Sequence, residues 1–171
     1  YPPLECVFTT DEEVGLLGAN VLDYSKLDGR LMLNLDSEDE GVATVSCAGG
    51  SRNTVTLPLV REFFAGEVMR LSVSGLLGGH SGQEIDKGRA NANKIMGELL
   101  GRVQQLMPLC LTKLEGGAKD NAIPRSCSVS LVMLGMQAER INDVADALQK
   151  ELREQFDEPE ATVQAFDVDA L

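Results

Sequence analysis

The sequence predicts an α/β protein: a βαβ unit followed by an α+β domain in which two helices cover one face of an antiparallel sheet. Three observations support this fold class. The chain opens with a strand, helix, strand pattern; β-rich segments and glycine-rich loops take over after residue 41; and two amphipathic helical segments alternate with those β-rich segments. With 171 residues, 43% of them hydrophobic, the chain is long enough to bury a sizeable core.

The βαβ unit occupies residues 1–48. Alternating apolar side chains predict a strand over residues 4–9, and apolar residues at helical spacing predict a helix over residues 14–22. The continuous apolar run of residues 31–35 predicts a second strand that is buried on both faces, which is typical of a parallel sheet. An acidic loop follows over residues 36–41.

The α+β domain occupies residues 49–171, and the Gly49-Gly50 pair marks its boundary. Residues 91–107 and 141–152 each place apolar side chains on one helical face. The other regular segments are β-rich, and two helices on one face of an antiparallel sheet is the natural packing for this order. The predicted strands of this domain cover residues 54–57, 70–74, 109–114, 126–134 and 161–166, and a further predicted strand, over residues 42–47, precedes the boundary.

Charge and hydropathy disfavour two classes of partner. The formal net charge is −12, from 27 acidic and 15 basic residues, and no cluster of Lys and Arg stands out, so the chain is predicted not to bind nucleic acid. No apolar run reaches the roughly 18 residues that a membrane helix needs, so no membrane association is predicted. The chain begins at Tyr1 without a Met or a signal-like segment, which predicts a piece of a longer protein.

Glu12 and Glu13 lie where the first predicted strand gives way to the helix, so their side chains point in different directions. One carboxylate can bind a metal ion while the other accepts a proton from water, as metal-assisted hydrolysis requires. Asp36 follows the next predicted strand, and the C-terminal ends of parallel strands meet at one edge of a sheet. The acidic triplet from Asp11 is also typical of the first turn of a helix, and residues 37–40 of a solvated loop.

His80 and Asn121 are the other candidate site residues. His80 is the only histidine, and glycines on both sides of it allow backbone to approach a ligand closely. Its ring can donate a hydrogen bond to a substrate carboxylate or an oxyanion. Asn121 can bind a substrate through its side-chain amide. An incidental histidine in a surface turn, and an asparagine that shapes the loop before Pro124, are the alternatives.

Four segments of the chain carry recognisable motifs: TTDEEVGL (residues 9–16), LNLDSEDEG (33–41), GGHSG (78–82) and NAIP (121–124). In this order they resemble motifs of the M20 family of metallopeptidases. The first two resemble the family's Glu-Glu motif and its later acidic metal ligand, and the last two resemble motifs of its lid domain. The acidic run of the second segment is most similar to the aminoacyl-histidine dipeptidase branch.

The resemblance implies a role for each candidate residue. It implies that Glu12 is the general base, that Glu13 is a ligand of one metal ion and that Asp36 is a ligand of the other. It implies that His80 contacts the substrate carboxylate or the tetrahedral oxyanion from the lid, and that Asn121 lies near the substrate.

The resemblance also implies the fold, cofactor and partners. Residues 1–48 would form part of a catalytic α/β domain, and residues 49–171 much of an inserted α+β lid. The cofactor would be zinc, two ions per site, with manganese or cobalt as alternatives. The substrate would be an Xaa-His dipeptide, the location the cytoplasm, and a second copy of the chain a partner bound through the lid.

Three metal ligands of the family have no counterpart in this sequence. Its His-x-Asp motif and its metal-bridging Asp belong upstream of the Glu pair, and its last ligating His belongs downstream of the lid. We therefore expect weak or absent metal binding and no peptide hydrolysis by this chain alone. The alternatives are another M20 amidohydrolase, such as a deacylase or a tripeptidase, and a non-catalytic lid or dimerisation module.

Overall fold

The computed structural model describes residues 3–32, 40–46, 49, 51, 53–135 and 137–167. The chain forms two compact units, residues 1–56 and residues 57–171. In the sequence, these two units meet at residues 56 and 57. The domain boundary near residue 48 stays a prediction. In the described part of the chain, none of the helices is both long and apolar enough to cross a bilayer.

The first unit contains one short α-helix, α1 (Leu17–Asn20), and a 3-10 turn (Tyr24–Lys26). The helix is shorter than predicted because Gly15 and Leu16 adopt positive φ angles of 111° and 58°, which a right-handed helix does not allow. Gly18 then packs directly against the backbone of Thr10, whose carbonyl accepts the Gly18 N–H at 3.0 Å.

The strands predicted in the first 57 residues are not formed where the structure describes them. An extended segment becomes a strand only when its backbone pairs with a neighbour, and side-chain alternation alone does not supply that neighbour. Phe8, for example, is 91% exposed in a segment predicted as a half-buried strand. The segments concerned are residues 4–9, 31–32, 42–46 and 54–57, while the remainder of the run 31–35 and Cys47 lie outside the described residues.

The second unit is built on a four-stranded antiparallel sheet that consists of β1 (Glu67–Ser74), β3 (Leu109–Gly116), β5 (Cys127–Met133) and β6 (Thr162–Asp167). The order of these strands across the sheet is β3-β5-β1-β6. The register of β1 on β5 pairs Leu71 with Val129. Every second residue is buried in β5 and, from Met69 onward, in β1, so one face of the sheet is apolar, as the alternation predicted.

Two helices pack on that apolar face, α2 (Ala92–Gln104) and α3 (Ala138–Phe156). This antiparallel sheet with two helices confirms the predicted α+β arrangement. Arg102 of α2 joins the two helices by an ion pair to Glu151 of α3 at 2.6 Å, and it also pairs with Glu98 of its own helix at 2.5 Å. The core consists of the buried residues Met69, Leu71, Val73, Leu76, Ala90, Ala92, Ile95, Met96, Leu99, Val103, Met107, Cys127, Val129, Leu131, Met133, Ile141, Ala145, Leu148, Leu152, Ala161 and Val163.

A second, two-stranded antiparallel sheet lies outside this layer. It pairs β2 (Gly79–His80) with β4 (Ala122–Ile123), so that Gly79 lies opposite Ile123 and His80 opposite Ala122. The β2–β4 pair brings together two loops that are about forty residues apart in the sequence. It is the element that places the candidate substrate-binding residues.

Candidate functional site

The β2–β4 pair places His80 beside the segment of Asn121. Ser81 donates its backbone N–H to the carbonyl of Asn121 at 2.9 Å, which continues the pairing of His80 with Ala122. Both His80 and Asn121 are exposed. The segments of His80 and Asn121, which are separate motifs in the sequence, therefore form one local structure.

The imidazole of His80 is held by its own turn. Its Nδ1 accepts the backbone N–H of Gly82 at 3.0 Å and that of Gln83 at 3.2 Å. A nitrogen that accepts two hydrogen bonds carries no proton, so the neutral ring carries its proton on Nε2. The turn therefore presents Nε2–H as the hydrogen-bond donor of the ring.

The backbone of His80 is held by Glu84, which we did not predict as a site residue. Glu84 accepts the His80 N–H at 2.8 Å and forms ion pairs with Lys87 at 3.0 Å and Arg89 at 2.8 Å. The hydrogen bond from His80, reinforced by Lys87 and Arg89, lowers the pKa of Glu84 to about 2. Arg89 also donates to the carbonyl of Gly78. The Glu84–Arg89 ion pair therefore holds the backbone on both sides of Gly79.

Gly78 and Gly79 are required by the protein's own side chains. Both have positive φ angles, 63° and 143°, which side-chain-bearing residues rarely adopt. A Cβ on Gly79 would lie 2.5 Å from the side chains of Arg89 and Glu84, and one on Gly78 would overlap the aliphatic part of Arg125. In the structure these glycines leave room for the side chains of Arg89, Glu84 and Arg125, and their close approach to a ligand stays a prediction.

A cleft of about 600 Å³ opens between the two loops. Cations predominate in its lining, although the whole chain carries a net charge of −12. Sequence patterns did not indicate these cations, because they do not form a cluster in the sequence and the pairing of β2 with β4 brings them together. With His80 and Asn121, they give the cleft the donors that a carboxylate or an oxyanion would need. The charged lining residues are Glu84, Arg89, Lys119 and Arg125.

Glu12 and Glu13 lie in an exposed turn of the first unit. The backbone carbonyl of Glu12 accepts the N–H groups of Gly15 at 3.1 Å and Leu16 at 3.0 Å, which closes this turn. Asp36 lies outside the described residues. Within the part of the chain that the structure describes, no three His, Cys, Asp or Glu side chains form a group that could hold a metal ion. The metal site of Glu13 and Asp36, and the role of Glu12, stay predictions.

Residues 71–160 match the M20 family model described as the peptidase dimerisation domain. The chain belongs to the M20 family. The match covers most of the four-stranded sheet, both long helices and the cleft, and it confirms the resemblance and the fold class inferred from the sequence.

Two relatives cover nearly the whole chain. The cytosol non-specific dipeptidase of Escherichia coli is 36% identical over 162 residues, which are 94% of this chain and 33% of that protein. The crystal structure of the aminoacylhistidine dipeptidase from Vibrio alginolyticus is 32% identical, with a TM-score of 0.66 over 93% of this chain and 33% of that one. The chain thus spans about a third of the length of these M20 relatives.

Proposed function

We propose that this chain is a segment of a metal-dependent dipeptidase in which it supplies the general base, one ligand to each of two metal ions, and substrate contacts from a lid. The observation that carries the proposal is the β2–β4 pair, which joins His80 and Asn121 at a donor-rich cleft. The names of the Escherichia coli and Vibrio alginolyticus relatives, both dipeptidases, support the reaction class.

The residues of the first unit fit a metal site in part. Glu13 is exposed on a turn, and a carboxylate oxygen is a ligand that zinc accepts, with manganese and cobalt as alternatives. Glu13 would hold one ion and Asp36 the other. Two bound ions would supply the Lewis acidity that makes water acidic near neutral pH. Glu12, adjacent to Glu13 and exposed, would accept the proton of that water at a carboxylate oxygen.

In the second unit, His80 would donate a hydrogen bond from Nε2 to the C-terminal carboxylate of the dipeptide or to the oxyanion. Asn121, on the facing loop, would bind the substrate through its side-chain amide. Arg125 and Lys119 would add positive charge to the same cleft and favour an anionic ligand. The proposed location is the cytosol, which is where the name of the Escherichia coli relative places that protein.

The test uses the complete gene product that carries this segment, assayed with zinc on an Xaa-His dipeptide. We expect Glu12→Gln to abolish turnover, because the amide cannot accept a proton, while a chelator abolishes it in the parent enzyme. Asp11→Asn removes the same charge one residue earlier and should leave turnover close to that of the parent enzyme. Full activity of Glu12→Gln would refute the assignment of the base.

Substrate class is tested in the same assay. A carnosine-like dipeptide should be hydrolysed faster than an N-acyl amino acid. The reverse order would instead identify a deacylase of the same family.

The 171-residue chain alone is expected to be inactive and to bind zinc weakly. Calorimetric titration with zinc should show no tight site, and no dipeptide should be hydrolysed. Turnover by this chain that Glu12→Gln abolishes would show that its own ligands suffice.

A second candidate function is homodimer formation through residues 57–171. It is favoured by the match of residues 71–160 to a model described as a dimerisation domain. Sedimentation equilibrium of the chain should give twice the monomer mass at micromolar concentration. A monomer at all concentrations would exclude this function for the chain.

A further inference from the structure

We propose that Glu158 is a positioning residue for His80, acting through the ends of the loop that carries it. Glu158 is 1% exposed, the most buried charged residue among those described. Its Oε2 accepts the backbone N–H of Leu77 at 3.1 Å, and its Oε1 accepts that of Ala90 at 3.0 Å. One carboxylate thus closes the base of the loop 77–90. The proposal rests on the proposed role of His80 in substrate binding.

The turn that presents Glu158 is itself fixed. It follows α3 through Asp157, whose φ of 51° ends the helix, and it is closed by the bond from the Ala161 N–H to the Glu158 carbonyl at 3.0 Å. Arg153 donates from Nε to the carbonyl of Ala161 at 3.0 Å. A Cβ on Gly75 would lie 2.0 Å from the Glu160 carbonyl oxygen, so this turn and the end of β1 are in close contact. Glu158 therefore acts from a rigid support.

The contacts run from Glu158 to His80 in short steps. Ala90 follows Arg89, which donates to the carbonyl of Gly78 and pairs with Glu84. Glu84 accepts the N–H of His80 at 2.8 Å. A shift at either end of the loop would therefore move the Glu84–Arg89 ion pair, which holds the backbone of His80.

The chemistry of the contact requires a carboxylate. Both partners of the Glu158 side chain are N–H donors, and only a carboxylate offers each of them an acceptor oxygen. A glutamine would keep one bond and oppose the other N–H with its own NH₂ group, although its shape is the same. Glu158→Gln therefore disturbs the loop base without changing the volume that is packed there. Glu160→Gln, in the same turn but exposed, is the matched control.

Amide hydrogen exchange of the 171-residue chain tests the positioning directly. We expect Glu158→Gln to speed exchange within the loop 77–90 about tenfold, the equivalent of one hydrogen bond to a charged group. Amides of β5 should exchange as in the parent chain, and Glu160→Gln should change neither. Unchanged exchange at Leu77 and Ala90 would overturn the proposal. If Glu158→Gln does not fold, Glu158→Asp, which keeps both oxygens but is one methylene shorter, is measured in the same way.

Activity of the complete gene product tests whether Glu158 acts through His80. We expect Glu158→Gln to lower kcat/KM about tenfold, but to have little further effect in a His80→Ala background. Equal losses in both backgrounds would show a merely structural role and overturn the proposal. If His80→Ala alone leaves kcat/KM unchanged, the proposed role of His80 fails, and with it the positioning of a substrate contact. Hydrogen exchange then still reports whether Glu158 holds the loop.

Discussion

Gly82 donates its backbone N–H to Nδ1 of His80 over 3.0 Å, and this contact determines which nitrogen of the only histidine carries the proton. Gln83 donates to the same nitrogen at 3.2 Å. Since Nδ1 accepts both bonds, Nε2–H becomes the donor that the ring offers to a ligand. The local turn thus sets the chemistry of the side chain before any substrate binds.

The tautomer of His80 is the first prediction. In the neutral ring, ¹⁵N NMR should show a protonated Nε2 and an unprotonated Nδ1, and one histidine gives one unambiguous set of signals. Gly82→Ala would place a Cβ 3.2 Å from Nδ1 and should shift both nitrogen signals. Gly97→Ala, whose Cβ meets nothing within 4 Å, should leave them unchanged. A protonated Nδ1 in the parent chain would contradict the structure.

The second prediction concerns the stability of the folded chain at acidic pH. The pKa of Glu84 is lowered from 4.5 to about 2 by the hydrogen bond from His80 and by Lys87, so its ionised form is favoured in the folded state. The stability that it contributes is present above pH 4.5 and is lost as the pH falls from 4.5 towards 2. In urea unfolding, Glu84→Gln should be less stable than the parent chain at pH 7, and the difference should shrink below pH 4.5.

Asp86→Asn provides the control for that series. Asp86 lies in the 3-10 turn (Ile85–Lys87) that directly follows Glu84, and the substitution changes the net charge equally but leaves the Glu84–Arg89 pair intact. A difference between Glu84→Gln and the parent chain that stays constant from pH 7 to pH 2 would show that the lowered pKa is not the source of the effect.

The third prediction concerns the start of α2. The Asn91 side chain caps this helix by accepting the N–H groups of Asn93 at 3.0 Å and Lys94 at 3.3 Å. Asn91→Ala leaves both donors without this acceptor and should lower the free energy of unfolding by about 1 kcal/mol. Asn91→Asp keeps an acceptor oxygen and adds a negative charge at the helix start, so it should restore the stability. Chemical denaturation of the three proteins measures both effects, and equal loss in Asn91→Asp would argue against capping.

The fourth prediction concerns the core beneath the sheet. Leu99 is 0% exposed and packs from α2 into the apolar layer. Leu99→Ala should lower the free energy of unfolding by about 2–5 kcal/mol, because it removes buried methyl groups and leaves a cavity. Leu114→Ala makes the same chemical change at a side chain that is 58% exposed, and it should cost less than about 0.5 kcal/mol. Similar losses in the two variants would contradict the placement of the core.

Prediction from the sequence succeeded where a local pattern is sufficient. The alternation in β1 and β5 and the apolar faces of α2 and α3 appear in the structure within a few residues of the predicted bounds. It failed for residues 4–9, because a strand also needs a neighbour and the alternation does not reveal whether one is present. The roles of Glu12, Glu13 and Asp36 stay predictions from resemblance.

The sequence by itself determined the family, the sheet with its two helices, and the glycine-flanked His80 as a candidate site. Only the tertiary structure decided what surrounds that histidine. Glu158 reaches Leu77 and Ala90 across 81 and 68 positions of sequence, and the pairing of β2 with β4 brings Asn121 to Ser81. Periodicity reports which face of one element is apolar, whereas a hydrogen bond between distant segments exists only once the intervening chain has folded. For that reason the sequence indicated His80, and the fold specified its tautomer and its supports.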